Sequence, residues 1–168
     1  MKYSIVYVSN TGNTRLLAET IRAQLPAEDC IYCGVPCEEA AKADRNYVGF
    51  WTDKGGCTAE ISDFLKALTT QEVFLFGTAG FGGAPESFEQ ILKRVAAHIP
   101  DSARLAGSYM CQGKMPVSVR QRYEQMRDKP GLPFNVEDMI ANFDRALSHP
   151  DNGDLQQLKE AVKASLRS

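Results

Sequence analysis

Tyr3-Ser4-Ile5-Val6-Tyr7-Val8-Ser9-Asn10-Thr11-Gly12-Asn13-Thr14 changes character half-way along. The first six residues are β-branched and aromatic and read as a buried strand. The last six are small and polar, and a helix follows over residues 13–25, with Leu17, Ile21 and Leu25 four apart on one face and Pro26 as its stop. Strand, short polar loop and helix make one βα unit. Working outward, Cys30-Ile31-Tyr32-Cys33 reads as a short strand and residues 46–51 as a stronger one, ended by Thr52-Asp53-Lys54-Gly55-Gly56. Ile61, Phe64, Leu65 and Leu68 have helical spacing behind Thr58 as N-cap. Residues 72–76 form the next strand, residues 77–83 a Gly-rich loop, and Phe88, Ile91, Leu92 and Val95 another helix. Residues 105–110 read as a fifth strand, with helical stretches around Val119 and Tyr123, then Ile140 and Phe143, then Leu155 to Leu166. Strand and helix alternating along the chain predict an α/β fold, a parallel sheet covered by helices on both faces.

Composition agrees with one soluble domain spanning residues 1–168. The chain is 43% hydrophobic and 24% charged with a net charge of −2, too apolar for disorder and too little charged for a polyanion binder, so no nucleic acid is expected. No apolar stretch reaches the roughly 18 residues of a membrane span. The start, residues 1–8, is too short in apolar residues for a signal peptide, so a cytoplasmic protein is expected. Five cysteines fit a reducing compartment and free thiols. Cys30, Cys33 and Cys37 have the spacing of a metal cluster, but alternate strand residues point to opposite faces, which leaves thiols in the core as the better reading and no metal site.

In doubly wound sheets the ligand sits beyond the carboxyl ends of the strands. That selects residues 9–14, 51–56 and 77–83, with Cys111-Gln112-Gly113-Lys114 as a fourth edge. The first loop suits a phosphate monoester. Its hydroxyls and amides donate hydrogen bonds, Gly12 allows close backbone approach, and the helix N-terminus adds free N–H groups and its dipole. It contains no lysine, and the Walker and G-x-G-x-x-G patterns are absent. A plain helix cap is the simpler reading of such a run, and its place at the switch point favours the phosphate.

The run Ser9 to Thr14, directly after a first strand, resembles the hydroxyl-x-Thr-Gly-Asn-Thr phosphate signature of flavodoxins. That resemblance implies a flavodoxin-like five-stranded parallel sheet in the order 2-1-3-4-5 and non-covalent FMN. It also implies that Ser9, Thr11, Asn13 and Thr14 hold the phosphate with side chains, and Asn10 and Gly12 with backbone. The isoalloxazine would lie between the next two loops, contributed by Trp51, Thr52, Asp53, Lys54 and Gly55 and by Thr78, Ala79, Gly80, Phe81 and Gly83. Trp51, the single tryptophan, and Phe81, set among glycines, are the aromatics that could border a flat ring. Gly55 or Gly80 could permit the peptide rearrangement that flavodoxins make beside the flavin.

Two features depart from the family. Its usual tyrosine in the fourth-strand loop is missing. The chain is also nearly neutral, with Lys54, Lys114, Arg120 and Arg122 near the expected ring, where electron carriers of the family are very acidic. Met110 to Lys114 and the long connection 111–135 are expected close to the flavin, the latter as a functional loop. No Ser-His-Asp or Cys-His set appears, so no catalytic side chain is assigned and the chemistry falls to the cofactor. The expected function is electron transfer from a reductase to an acceptor enzyme. The alternative is an FMN-dependent NAD(P)H oxidoreductase acting on a small acceptor such as a quinone.

Overall fold

The computed structural model describes residues 1–81 and 84–167. Its strands β1 (Tyr3–Tyr7), β2 (Cys30–Gly34), β3 (Arg45–Trp51), β4 (Glu72–Ala79) and β5 (Arg104–Gln112) form one parallel sheet in the order β2-β1-β3-β4-β5. The expected sheet order is the observed one. The α-helices are α1 (Asn13–Gln24), α2 (Ala59–Lys66), α3 (Pro85–Ala96), α4 (Val117–Met126), α5 (Val136–Ala146) and α6 (Asn152–Leu166).

Alternation along each strand sorts the core into two layers. Tyr3, Ile5, Tyr47, Phe74 and Phe76 pack against Leu17 and Ile21 of α1 and Leu158 and Val162 of α6. Val6, Val48, Phe50, Val73 and Leu75 pack against Ile61 and Leu65 of α2 and Ile91 and Val95 of α3. At the centre, β3 and β4 exchange rings for glycines. Gly49 is paired with Phe76, and Phe50 with Gly77. A Cβ on Gly49 would lie 2.3 Å from Phe76 Cε2, and one on Gly77 2.4 Å from Phe50 Cζ. Each face of the sheet thus seats one phenylalanine on its neighbour's bare backbone.

Several expectations need correction. No α-helix joins β2 to β3; a single 3₁₀ turn (Ala40–Lys42) does so, and the alternation of strand and helix lapses there. β4 continues to Ala79, so Thr78 and Ala79 are buried strand residues rather than loop. Pairing with both β3 and β5 offsets the low strand propensity of Gly77. Cys30 and Cys33 do not point to opposite faces. A register shift pairs Tyr3 with Cys30 but Ser4 with Tyr32 and Ile5 with Cys33. The extra residue, Ile31, restores both cysteines to the Tyr3 and Ile5 face. All five cysteines are free thiols. Thr58 does precede α2, but its hydroxyl makes no cap bond and is buried without a partner. The helical stretches expected around Val119 and Tyr123 and around Ile140 and Phe143 are present as α4 and α5, which close around Tyr123, Val136 and Ile140.

Among the described residues no helix is long and apolar enough to cross a membrane.

Candidate functional site

β1 delivers the polar run to the N-terminus of α1. Gly12 takes φ +88°, a left-handed conformation suited to glycine, with open space on its Cβ side. Ser9 Oγ accepts from the backbone N–H groups of Gly12 (3.1 Å) and Arg15 (3.4 Å). The first-turn N–H groups of Asn13 and Thr14 lie beyond the reach of intrahelical acceptors, as in any helix. Asn13 and Thr14 are buried, and Thr14 Oγ1 lies 3.3 Å from Thr78 Oγ1. A concave run of uncharged donors at a helix N-terminus fits a phosphate monoester.

Side chains of this run also reach across the site. Thr11 Oγ1 donates to the Lys114 carbonyl at 3.2 Å and Asn13 Nδ2 donates to it at 2.8 Å. A Cβ on Gly113 would lie 2.5 Å from Asn13 Nδ2, so glycine is what lets the exit of β5 approach the first loop.

A cleft of about 350 Å³ opens beside the loop, between the ends of β3, β4 and β5 and the start of α4. Asn10, Thr11, Asn13, Trp51, Thr52 and Thr78 line one side, and Gly80, Phe81, Met115 and Val119 the other. Trp51 ends β3 half-buried, and Thr52 returns N–H and hydroxyl bonds to the Thr78 carbonyl at 2.9 and 2.8 Å. Phe81 is 46% exposed and meets Tyr123 edge-on at 6.3 Å, so it is a surface aromatic.

Asp53, Lys54 and Gly55 are not on this cleft. They line a second one of about 630 Å³, which shares Thr52, Ala79, Gly80, Phe81 and Arg122 with the first and adds Ser87, Gln90, Ile91 and Arg94. Lys54 (φ +51°) and Gly55 (φ +80°) form a tight turn closed by Asp53 and Gly56, which exchange backbone hydrogen bonds of 2.8 and 3.0 Å. The two glycines left open by the sequence now differ. The Gly80 carbonyl accepts from Gln112 Nε2 and Asn142 Nδ2, both at 3.0 Å, and is clamped. Among the described residues the Gly55 carbonyl accepts only from exposed Arg94, at 3.1 Å. Gly83 lies outside the described residues.

The fourth edge divides. Met110 is buried in the core, and Cys111 is buried too, its thiol pushed up to about 12 by desolvation. Gly113 and Lys114 reach the cleft. Arg120 is taken up by Asp144 and Glu124, while Arg122 borders both clefts. Met115, Ser118 and Val119 fall in the connection 111–135 expected beside the site, whereas Arg94 and Asn142 were not singled out in the sequence, because each arrives there only through the docking of α3 or α5.

A flavodoxin domain profile matches residues 4–163. The flavodoxin-like domain-containing protein BilS of Clostridium symbiosum (strain WAL-14163) is 38% identical over 183 residues, covering 99% of this chain and 96% of that protein. A protein of the same description from Clostridioides difficile (strain CD3) is 26% identical over 170 residues, covering 97% of this chain and 95% of that one. Oxidised Flavodoxin 2 from Bacillus cereus has the same fold, with a TM-score of 0.60 at 17% identity over 99% of both chains. By profile, by relatives and by fold, the chain belongs to the flavodoxin family, whose cofactor is FMN.

Proposed function

We propose that the protein carries single electrons on FMN from a reductase to an acceptor enzyme. Bound FMN would supply the redox chemistry, accepting and releasing electrons one at a time. The first loop would hold its phosphate through the N–H groups at the start of α1 and the Ser9, Thr11, Asn13 and Thr14 side chains. Trp51, Thr52 and residues 78–81 would border the ring. The observation that carries the reading is the lining of the ring cleft: among the described residues it contains no carboxylate, imidazole or thiol. The ionisable groups there are the cations Lys114 and Arg122, with no carboxylate or imidazole to relay protons to an acceptor, which suits electron transfer better than reduction of a small molecule. The Lys54–Gly55 peptide, at the tip of the turn with its Gly55 carbonyl bonded to exposed Arg94, would be the one to rearrange with the state of the ring.

The second cleft supports the alternative, an NAD(P)H oxidoreductase, because its volume would admit a small acceptor or a nicotinamide. Stepwise anaerobic reduction of the FMN-loaded protein separates the two. A distinct blue or red species accumulating midway, with negligible bleaching by NADH or NADPH, is expected of the carrier. Direct passage to the colourless form together with fast bleaching by either nucleotide assigns the oxidoreductase.

The cradle has its own test. Asn13→Asp replaces a donor by an anion where the phosphate would lie, and should weaken FMN at least tenfold through lost hydrogen bonding to a charged group and added repulsion. Riboflavin, which has no phosphate, should lose much less, through the disturbed contact to the Lys114 carbonyl alone. Parallel fluorescence titrations check this, and equal losses for the two flavins would remove the phosphate from residues 9–14.

A further inference from the structure

Four exposed cations border the two clefts: Lys54, Arg94, Lys114 and Arg122. Among the described residues none of them has a carboxylate within ion-pair distance. Arg15, Arg45, Arg104, Arg120 and Arg127 all have one. The residues lining both clefts include a single carboxylate, Asp53. Around the end of the sheet where the cofactor would sit, four cations thus face one carboxylate. Within this rim Phe81 is 46% exposed, and Met115 and Val119, on the lining of the first cleft, are part-exposed. Apolar side chains inside a charged, solvated rim are the usual anatomy of a protein-docking patch.

The spread of the cations indicates what they meet. Lys54 and Arg94 line only the second cleft, Lys114 lines the first and Arg122 lines both. A small anion needs donors that converge on one point, as in bidentate recognition. Charges distributed around a rim act on an extended face, where they steer encounter and set orientation. We propose that this rim docks a redox protein whose own face, around its electron-transfer centre, is acidic. The proposal rests on the carrier reading and names its partner by charge.

The probes are two one-electron acceptor proteins of opposite surface charge, acidic plant plastocyanin and basic cytochrome c. The FMN-loaded protein is reduced by two electrons under anaerobic conditions and freed of reductant. Each plastocyanin takes one electron, Cu(II) to Cu(I), and each cytochrome c takes one, Fe(III) to Fe(II), so two acceptor molecules reoxidise each reduced protein. In stopped flow, the plastocyanin rate constant should fall tenfold or more from low to high ionic strength, while that for cytochrome c stays flat or rises. The variant Arg122→Glu, compared at equal FMN content, should lose at least threefold toward plastocyanin at low salt and little at high salt. Unchanged plastocyanin rates in the variant, or a salt dependence shown by ferricyanide but not by plastocyanin, would overturn the docking face. Failure to reduce either protein even at high salt, where steering is screened, removes the carrier reading and the proposal with it.

Discussion

Phe76→Ala is expected to lower the stability of the apo-protein by about 3–5 kcal/mol, the cost of emptying a buried aromatic site. For a chain of this size that is a fall of roughly 6–20 °C in Tm. Phe76 is fully buried, and its ring lies on the backbone of Gly49 in the adjacent strand. Gly49→Ala should be destabilising by the opposite defect, at about 1–3 kcal/mol, because its methyl would sit 2.3 Å from that ring and 3.0 Å from Thr14 Cγ2. Combining the two changes is informative. The alanine methyl at position 49 points into the space the ring leaves, so the double variant should be more stable than the sum of the single losses requires. Urea unfolding followed by circular dichroism measures all three proteins. Strict additivity, or a loss below about 1 kcal/mol for Phe76→Ala, would contradict the packing described.

Glu72→Ala should cost about 3–5 kcal/mol by leaving a buried guanidinium without its anion. Arg45 is 4% exposed and donates from Nε (2.9 Å) and Nη2 (2.7 Å) to Glu72 Oε2, while Nη1 reaches Ser165 Oγ at 3.1 Å. Arg104 Nη2 donates to the other oxygen at 2.7 Å. These arginines hold the Glu72 carboxyl below the usual range, Arg104 first and Arg45 after it. Because the folded protein favours the charged form, this contribution is present above the carboxyl's ordinary pKa and is lost as pH falls through the lowered folded one. Stability of the native protein should therefore drop more steeply through the acid range than that of Glu72→Gln. Chemical denaturation at stepped pH checks this; parallel curves would show that Glu72 is not the titrating group. The triad opens β3, β4 and β5, at the end of the sheet away from the first loop, so FMN affinity should stay unchanged in both variants.

Legibility in the sequence followed how locally each feature is determined. β1, the polar loop and α1 were readable because adjacent residues specify them: strand pattern, glycine and Pro26. Sheet order came from the resemblance carried by residues 9–14, since nothing in the strands themselves states who pairs with whom. The bulge at Ile31 was not readable, because the partner strand decides which residue is left over. The extension of β4 to Ala79 was hidden for the same reason, its glycine made tolerable by neighbours on both sides. Of the residues around the clefts, those on the strand ends were named from the sequence, whereas Arg94 and Asn142 were not, as their places depend on how whole helices dock. The separation of residues 53–55 into a second cleft likewise follows from packing of α3 and could not be spaced out along the chain.

The bond between the first loop and the Lys114 carbonyl spans 103 residues from Thr11 and 101 from Asn13, and the clamp on Gly80 reaches forward 62 residues to Asn142. Synthesis runs from the N-terminus at about 5–20 residues per second, so the phosphate loop emerges some 5–20 s before the segment that closes over it. The ring side of the pocket waits longer still, until α5 has left the ribosome. Closure of the cleft is thereby tied to the synthesis of α5: a nascent chain can present the first loop early, but Gly80 is clamped only once Asn142 has followed.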